Sequence, residues 1–225
     1  HAVTKGLDPD VPMKDSGVEW IGEVPAHWEV VPGKAVFVEK KVKNTDLSGG
    51  SYLSLVAGRG VIPYEEKGDI GNRKPDELER CKVVDAGDHV INSMNFSIGA
   101  YGRSTLSGVC SPVYVILREN SHRLGDGFGE LILSNPFYQD FIQSFGSGIL
   151  DHRRSIGWDE IKVAYVPCPP VYEQREISAF THRETTRIDT LIEKTRESID
   201  LLKERRSALI TAAVTGKIDV REEAA

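Results

Sequence analysis

The feature that most constrains this sequence is an apolar pattern that continues without interruption through residues 172–216. Steps of three and four residues separate its apolar positions, and this spacing keeps them on one face of an α-helix. No proline or glycine occurs between Val171 and Thr215. The pattern therefore predicts one helix on the order of 65 Å long, at about 1.5 Å per residue. Its apolar positions are Ile177, Phe180, Ile188, Leu191, Ile192, Ile199, Leu202, Leu209, Ile210 and Ala213.

The ends and the charges of this segment support the same interpretation. Pro169 and Pro170 exclude helix before Val171, and Gly216 can adopt the left-handed conformation that ends a helix. Eight acidic and eight basic residues balance between positions 172 and 216. We expect the helix to pack lengthwise on another long helix; the alternative is that it folds back on its own domain. The contact would use an apolar stripe that consists of Ile188, Leu191, Ile192, Ile199, Leu202 and Leu209.

Residues 1–171 contain a mixture of strand and turn patterns. Short runs of β-branched residues indicate strands, and the apolar spacing becomes helical over residues 127–145, with a break at Asn135-Pro136. We therefore predict an α+β fold, a compact mixed domain followed by a single long coiled-coil-forming helix. Residues 1–32 are predicted to form an irregular arm that Trp20, Ile21 and Trp28 anchor on the domain. The predicted strands are residues 52–57, 83–92, 112–118 and 161–166, and residues 35–42 form a short helix or strand.

The composition is that of an ordinary soluble protein, with 40% hydrophobic and 28% charged residues. No apolar run approaches the roughly 18 residues that a membrane helix needs, and the first residues lack the pattern of a signal peptide. We therefore expect a cytoplasmic protein that does not enter a membrane. Because Cys81, Cys110 and Cys168 are odd in number and far apart, we expect them to be reduced and half-buried.

Charge and motifs argue against two classes of protein. The net charge of −6 is unusual for a protein that binds DNA by itself, since such proteins are usually basic. Residues 134–138 (SNPFY) approach the Asn-Pro-Pro-Tyr/Phe signature of amino-methyltransferases but lack its second proline. Residues 146–148 (GSG) are not followed by the Gly-Lys-Ser/Thr of a phosphate-binding loop. We expect no catalytic residue, no metal site and no cofactor in this chain.

Several glycine-containing loops carry polar side chains of the kinds that contact DNA. Arginine and asparagine read guanine and adenine bidentately in the major groove, while lysine and serine hold phosphates. Gly99 and Gly102 would let the longest of these loops, residues 92–104, approach another surface closely. The alternative for each loop is an ordinary solvated turn. The candidate DNA-binding residues are Arg59, Asn72, Arg73, Lys74, Asn95, Ser97, Tyr101, Arg103, Arg153 and Arg154.

Four blocks of the sequence resemble the specificity (S) subunits of type I restriction-modification systems, and together they span nearly the whole chain. The last block is long and specific, whereas the second is weak by itself. The blocks are residues 14–25 (KDSGVEWIGEVP) with His27-Trp28; Gly87-Asp88 with residues 108–114 (GVCSPVY); residues 167–170 (PCPP) with Glu173-Gln174; and residues 191–195 (LIEKT) with 198–218 (SIDLLKERRSALITAAVTGKI).

This resemblance implies a domain organisation. Residues 1–171 would form a target-recognition domain, residues 172–216 a conserved-region helix for spacing and dimerisation, and residues 217–225 a tail. Family members typically contain two recognition domains and two antiparallel helices, whereas this chain has one of each. We expect either half of a split subunit or a fragment. A half-subunit can restore the missing half as a homodimer, which would read an inverted bipartite site.

The resemblance also implies partners. These are double-stranded DNA, methylation subunits and restriction subunits; S-adenosylmethionine, ATP and magnesium would bind to those subunits, which carry the catalysis. Methylation subunits that flank this chain could supply much of the phosphate neutralisation, and this would reconcile DNA recognition with an acidic chain. Two alternatives remain open. The chain could be a structural coiled-coil adaptor, or a self-contained DNA methyltransferase or nuclease that binds a cofactor or metal.

Overall fold

The computed structural model describes residues 1–46, 50–70, 73–146 and 155–218, with Ser97 described by its backbone alone. The chain divides into two compact units, His1–Ser178 and Ala179–Ala225. Short helices and strands make up the first unit. In the described residues the strands are β1 (Met13–Asp15), β2 (Glu23–Pro25), β3 (Glu29–Pro32), β4 (Phe37–Glu39), β5 (Leu53–Val56), β6 (Gly60–Pro63), β7 (Lys82–Val84), β8 (His89–Asn92), β9 (Tyr101–Arg103), β10 (Gly108–Cys110), β11 (Tyr114–Glu119) and β12 (Tyr165–Cys168).

The helices of the described chain differ greatly in length. Five are short, and the sixth begins in the first unit and continues through the second. They are α1 (Ala2–Lys5), α2 (Gly33–Val36), α3 (Phe128–Leu133), α4 (Pro136–Gln143), α5 (Trp158–Ile161) and α6 (Val171–Val214). The α+β class and the long C-terminal helix predicted from the sequence are therefore confirmed. No helix of the described residues is long and apolar enough to span a membrane.

The centre of the first unit is an antiparallel sheet in the order β4-β11-β8-β9. Strand β11 lies inside it because Tyr114, Val115, Ile116 and Leu117 form a continuous buried run. Leu117 pairs with Glu39 on one side and with His89 on the other. The remaining strands form the two-stranded pairs β1-β2, β3-β12, β5-β6 and β7-β10.

The main core fills the space between the sheet and the short helices. Trp28, Phe37, Phe128 and Tyr138 are fully buried there. Each such side chain stabilises the fold by roughly 1.5–3 kcal/mol relative to exposure. Ile21 is buried and Trp20 partly buried, so the predicted anchoring of the N-terminal residues on the domain is confirmed.

Three local predictions are wrong. Residues 1–32 are not an irregular arm, because they form α1 and strands β1 to β3. Residues 161–166 are not one strand: the Glu160 carboxylate accepts a hydrogen bond from the Gly157 N–H at 2.8 Å, and this supports α5 up to Ile161, with β12 starting four residues later. The three cysteines are buried and not half-buried, and burial raises the pKa of the Cys110 thiol to about 12.

A turn at residues 85–88 divides the predicted strand 83–92 into β7 and β8. The Asp88 carboxylate is buried and accepts from Lys40 Nζ at 2.7 Å and from Arg118 Nε at 3.0 Å. Asp85 pairs with the same two cations, and the hydrogen bond from Lys40, which outweighs burial, lowers the pKa of Asp85 with a further contribution from Arg118. The Gly87-Asp88 block is thus part of an ion-pair network that closes a turn.

The first turn of α6 is held in the first unit by two adjacent side chains. Gln174 is completely buried; its Oε1 accepts from the Gly125 N–H at 2.8 Å, and its Nε2 donates to the carbonyls of Pro169 and Arg123. Glu173 accepts from Trp28 Nε1 at 2.8 Å and contacts His27 Nε2 at 2.6 Å. Burial favours the neutral acid, but these hydrogen bonds outweigh it and lower the pKa of Glu173.

The second unit is the rest of α6 and the residues that follow it. No described residue from 179 to 218 is buried. The stripe positions are open, with exposed fractions of 54% for Ile188 and 62% for Leu202. The polar Thr195 interrupts the apolar spacing, but its hydroxyl donates to the Leu191 carbonyl at 2.7 Å. It therefore needs no partner from another chain to satisfy its donor.

Two glycines allow β9 to cross the start of β6. A Cβ atom on Gly102 would lie 2.8 Å from the Cα of Gly60 and 3.2 Å from the Val61 nitrogen. A side chain on Gly102 would therefore require the backbone of β6 to shift. Gly102 makes a close approach to the chain itself, and it also lines the groove described below.

The hydrogen bonds of Glu173 at the start of α6 predict a pH-dependent contribution to the stability of the chain. Because the folded state lowers the pKa of Glu173, its contribution is present above the pKa of the unfolded chain and is lost as the pH falls through the folded value. Glu173→Gln should lower the free energy of unfolding by about 1–2 kcal/mol at pH 7. The difference should shrink as the pH falls below about 4. Urea unfolding followed by tryptophan fluorescence measures the difference at pH 7 and its change with pH, and Glu176→Gln at an exposed position is the control. An equal loss of unfolding free energy at all pH values would contradict the prediction.

The glycine crossing gives a second prediction. Gly102→Ala should lower the free energy of unfolding by about 1–3 kcal/mol, because the backbone of β6 must move to admit the methyl group. Gly125→Ala is the matched control, since its Cβ would meet Val171 Cγ1 at an ordinary 3.5 Å. Tryptophan fluorescence in a urea titration compares the two variants, and equal midpoints would show that the crossing tolerates a side chain.

Candidate nucleic-acid interface

An open groove of about 500 Å³ lies where the β5-β6 turn meets β9 in the first unit. It brings together Arg59, Tyr101 and Arg103, three of the residues selected from the sequence. The charged groups at this groove are the Arg59 and Arg103 guanidinium groups, the exposed Glu130 carboxylate and, at the rim, the Asp126 carboxylate that pairs with Arg103. The lining residues are Gly58, Arg59, Gly60, Val61, Ile98, Gly99, Tyr101, Gly102, Arg103, Thr105 and Glu130.

Arg59 stands at the tip of the β5-β6 turn. Its N–H donates to the Val56 carbonyl at 3.0 Å, and its neighbours Gly58 and Gly60 have positive φ angles of 74° and 72°. Positive φ angles favour glycine, so the two glycines that flank Arg59 allow the chain to turn here. The exposed side chain is partly fixed, because Nη1 donates to the Glu66 carbonyl at 3.1 Å. The other donors of the guanidinium form no hydrogen bond with a described residue.

Arg103 ends β9 on the other side of the groove. Its Nη2 donates to Asp126 Oδ1 at 2.5 Å, and its Nε is buried without a hydrogen-bond partner in the described part of the chain. The side chain is 30% exposed, whereas that of Asp126 is 83% exposed. The Arg103 side chain is therefore held at Nε and at Nη2, while part of its guanidinium group remains accessible. A planar, fixed guanidinium can form two parallel hydrogen bonds with an acceptor pair.

Tyr101 belongs to the groove and to the core at once. Its ring packs edge-on against Phe96, with centroids 5.8 Å apart. Burial raises the pKa of the Tyr101 hydroxyl, and the side chain is partly exposed. Tyr101 thus has a structural role beside its place in the groove lining.

Other predicted DNA-binding residues lie away from the lining of the groove. Arg73 and Asn95 are exposed, and Asn95 precedes a short 3-10 helix (Phe96–Ile98) without a capping hydrogen bond from its side chain. Lys74 places its ammonium 6.0 Å from the centroid of the Tyr52 ring. Asn72, Arg153, Arg154 and the side chain of Ser97 fall outside the described residues.

Sequence reasoning missed three contributors to this region. Glu130 and Thr105 line the groove, and Asp126 fixes Arg103 at its rim. For Asp126 a signal was present, since it lies between Gly125 and Gly127 in a turn-forming triplet. The described residues contain no group of three or more His, Cys, Asp or Glu side chains that could hold a metal ion.

Comparison with known proteins gives the same fold assignment as the sequence blocks. No protein-family model matches the chain, and no curated protein matches its sequence. The structure is similar to the HsdS subunit from Thermoanaerobacter tengcongensis, with a TM-score of 0.54 and 18% identity over 92% of this chain and 48% of that one. It is also similar, with a TM-score of 0.54 and 21% identity, to a chain from a structural study of complex assembly and conformational transition of the type I R-M system; 84% of this chain and 46% of that chain are covered.

The chain spans about half the length of each of these proteins. At 18–21% identity the likeness establishes the fold. The resemblance inferred from the four sequence blocks is thereby confirmed at the level of structure. Over about half of their length, this chain shares the fold of the HsdS specificity subunits of type I restriction-modification systems.

Proposed function

We propose that this chain is a non-catalytic DNA-specificity subunit of a type I restriction-modification complex, and that it recognises one part of a bipartite DNA site in the cytoplasm. The observation that carries the proposal is the fold shared with HsdS over 92% of the chain. The groove between Arg59 and Arg103 supports it, because these two side chains can donate to base edges or phosphates.

The acidic balance of the chain is compatible with this role. Asp85 and Asp88 are paired with Lys40 and Arg118, so part of the negative charge is neutralised inside the fold. The groove brings the Arg59 and Arg103 guanidinium groups together, and Asp126 pairs with Arg103 at its rim. We propose that methylation subunits, bound beside this chain, neutralise most of the phosphates. S-adenosylmethionine, ATP and magnesium would belong to the methylation and restriction subunits.

We further propose that the chain forms a homodimer through α6. All six stripe positions are exposed, by 43% to 62%. An isolated helix is only marginally stable in water, so a second helix on this face would stabilise it. Two copies related by a twofold axis would place two reading grooves on an inverted bipartite site, and together they would correspond to the length of HsdS, of which this chain covers 48%.

The assignment of the groove predicts an effect of Arg103→Ala on sequence selection. The chain is assembled with the methylation subunits of its system, because these are proposed to neutralise most of the phosphates; the complex is mixed with a random library of duplex DNA, and the bound DNA is sequenced. The complex that contains the wild-type chain should enrich a defined sequence. At one position of that sequence, Arg103→Ala should reduce the free-energy preference for the wild-type base by about 1–3 kcal/mol, the range for one bidentate base contact.

Arg80→Ala is the matched control for this experiment. Arg80 is 81% exposed, pairs with Glu77 and does not line the groove. It should leave the enriched sequence unchanged. If the wild-type chain enriches no sequence, the proposed function is wrong and a structural adaptor becomes the better assignment.

The proposed dimer predicts an effect of Leu202→Asp. Two carboxylates buried between the helices should raise the dissociation constant of the dimer on the order of 100-fold. Leu201→Asp is the control: Leu201 is similarly exposed, at 66% against 62%, but points about 100° away from Leu202. Analytical ultracentrifugation over a concentration series distinguishes them. Monomeric wild-type protein, or equal weakening by both variants, would argue against the stripe as the contact.

A further inference from the structure

The ion pair between Arg103 and Asp126 has a geometry that stability alone does not account for. Asp126 is 83% exposed, and an exposed pair of this kind contributes little to folding. Yet it fixes one end of a guanidinium that lines the groove. The pair therefore determines where the arginine fork is presented more than whether the chain folds.

Asp126 is itself held by the buried start of α6. The preceding residue, Gly125, donates its N–H to Gln174 Oε1 at 2.8 Å, and Gln174 has no exposed surface. The following residue, Gly127, has a φ of 83°, which sets the direction of the turn. The carboxylate thus projects from a turn whose backbone is anchored in the core.

Arg103 is fixed from the opposite side. Its backbone follows Gly102, which lies so close to Gly60 that a side chain there would displace the backbone of β6. Its Nε is buried without a partner in the described residues, so the stem of the side chain lies against the protein. Because Asp126 accepts one hydrogen bond from Nη2, the plane of the guanidinium is set before any ligand arrives, and the hydrogens of Nη1 and the second hydrogen of Nη2 are the donors left for a ligand.

We propose that Asp126 is a positioning residue that presents the Arg103 fork to a guanine in the major groove. This inference rests on the proposed function and adds to it the recognised base and the residue that orients its reader. Guanine offers N7 and O6 as two acceptors on one edge, and a fixed arginine fork matches that pair better than it matches any other base. Ordering the fork in advance reduces the entropy lost on binding.

The test measures base preference with the same duplex library and the same complex of the full chain with its methylation subunits. The position that Arg103→Ala relaxes should be a guanine in the wild-type sequence. Asp126→Asn keeps an acceptor but loses the charge, and it should reduce the guanine preference about three- to ten-fold at that position alone. Asp126→Ala should reduce it further. Arg103→Lys, which keeps the charge without the fork, should also lose the preference for guanine.

Two controls separate this role from a structural one. Urea midpoints of the Asp126 variants should equal that of the wild type, because the pair is exposed. Asp10→Asn changes an exposed aspartate in the N-terminal segment and should leave every preference unchanged. A wild-type chain that enriches no sequence refutes the proposed function itself. Two results overturn this inference alone. In the first, the wild-type sequence is defined but Asp126→Asn and Asp126→Ala leave it unaltered. In the second, the base at the position that Arg103→Ala relaxes is not guanine.

Discussion

The buried amide of Gln174 is the interaction on which the rest of the first unit depends. It joins the first turn of α6 to two segments: the proline-rich segment before the helix and the loop that contains Arg123 and Gly125. Since Gln174 has no exposed surface, an unpaired donor or acceptor there would cost about 1–3 kcal/mol. The same side chain therefore fixes the first turn of the long helix and the turn that carries Asp126.

The sequence blocks that resemble specificity subunits lie mainly in the scaffold. Lys14 Nζ donates to the Trp28 carbonyl at 2.6 Å, and Trp20 Nε1 donates to the Tyr165 carbonyl at 3.0 Å. At the start of α6, Gln174 bonds to backbone groups in the same way, whereas Glu173 bonds to the Trp28 and His27 side chains. Each of these side chains has a fixed partner inside the fold. The groove residues Arg59 and Arg103 lie in none of the four sequence blocks.

The charge of the chain illustrates how a global quantity can mislead about a local one. A net charge of −6 argues against autonomous DNA binding, yet the groove brings two guanidinium groups together, beside the Glu130 carboxylate and the Asp126 carboxylate that pairs with Arg103. Some acidic residues elsewhere are paired inside the fold, as at Asp88, and those of α6 are matched by basic residues, while the rest of the chain carries the acidic excess. Electrostatic attraction to DNA acts over roughly 10 Å in salt, so the local arrangement matters more than the sum.

The sequence by itself determined the α+β class, the long helix from about residue 171 to 214 and the buried strand at β11. These features depend on periodicity within a short window, which tertiary contacts reinforce but do not create. Only the tertiary structure decided that Arg59 and Arg103, 44 residues apart, share a groove while Arg73 and Asn95 do not line it. It also decided that residues 1–32 form strands. The physical reason is that both results depend on strand pairing and on the Gly60–Gly102 crossing, which join residues distant in sequence and leave no periodic signal.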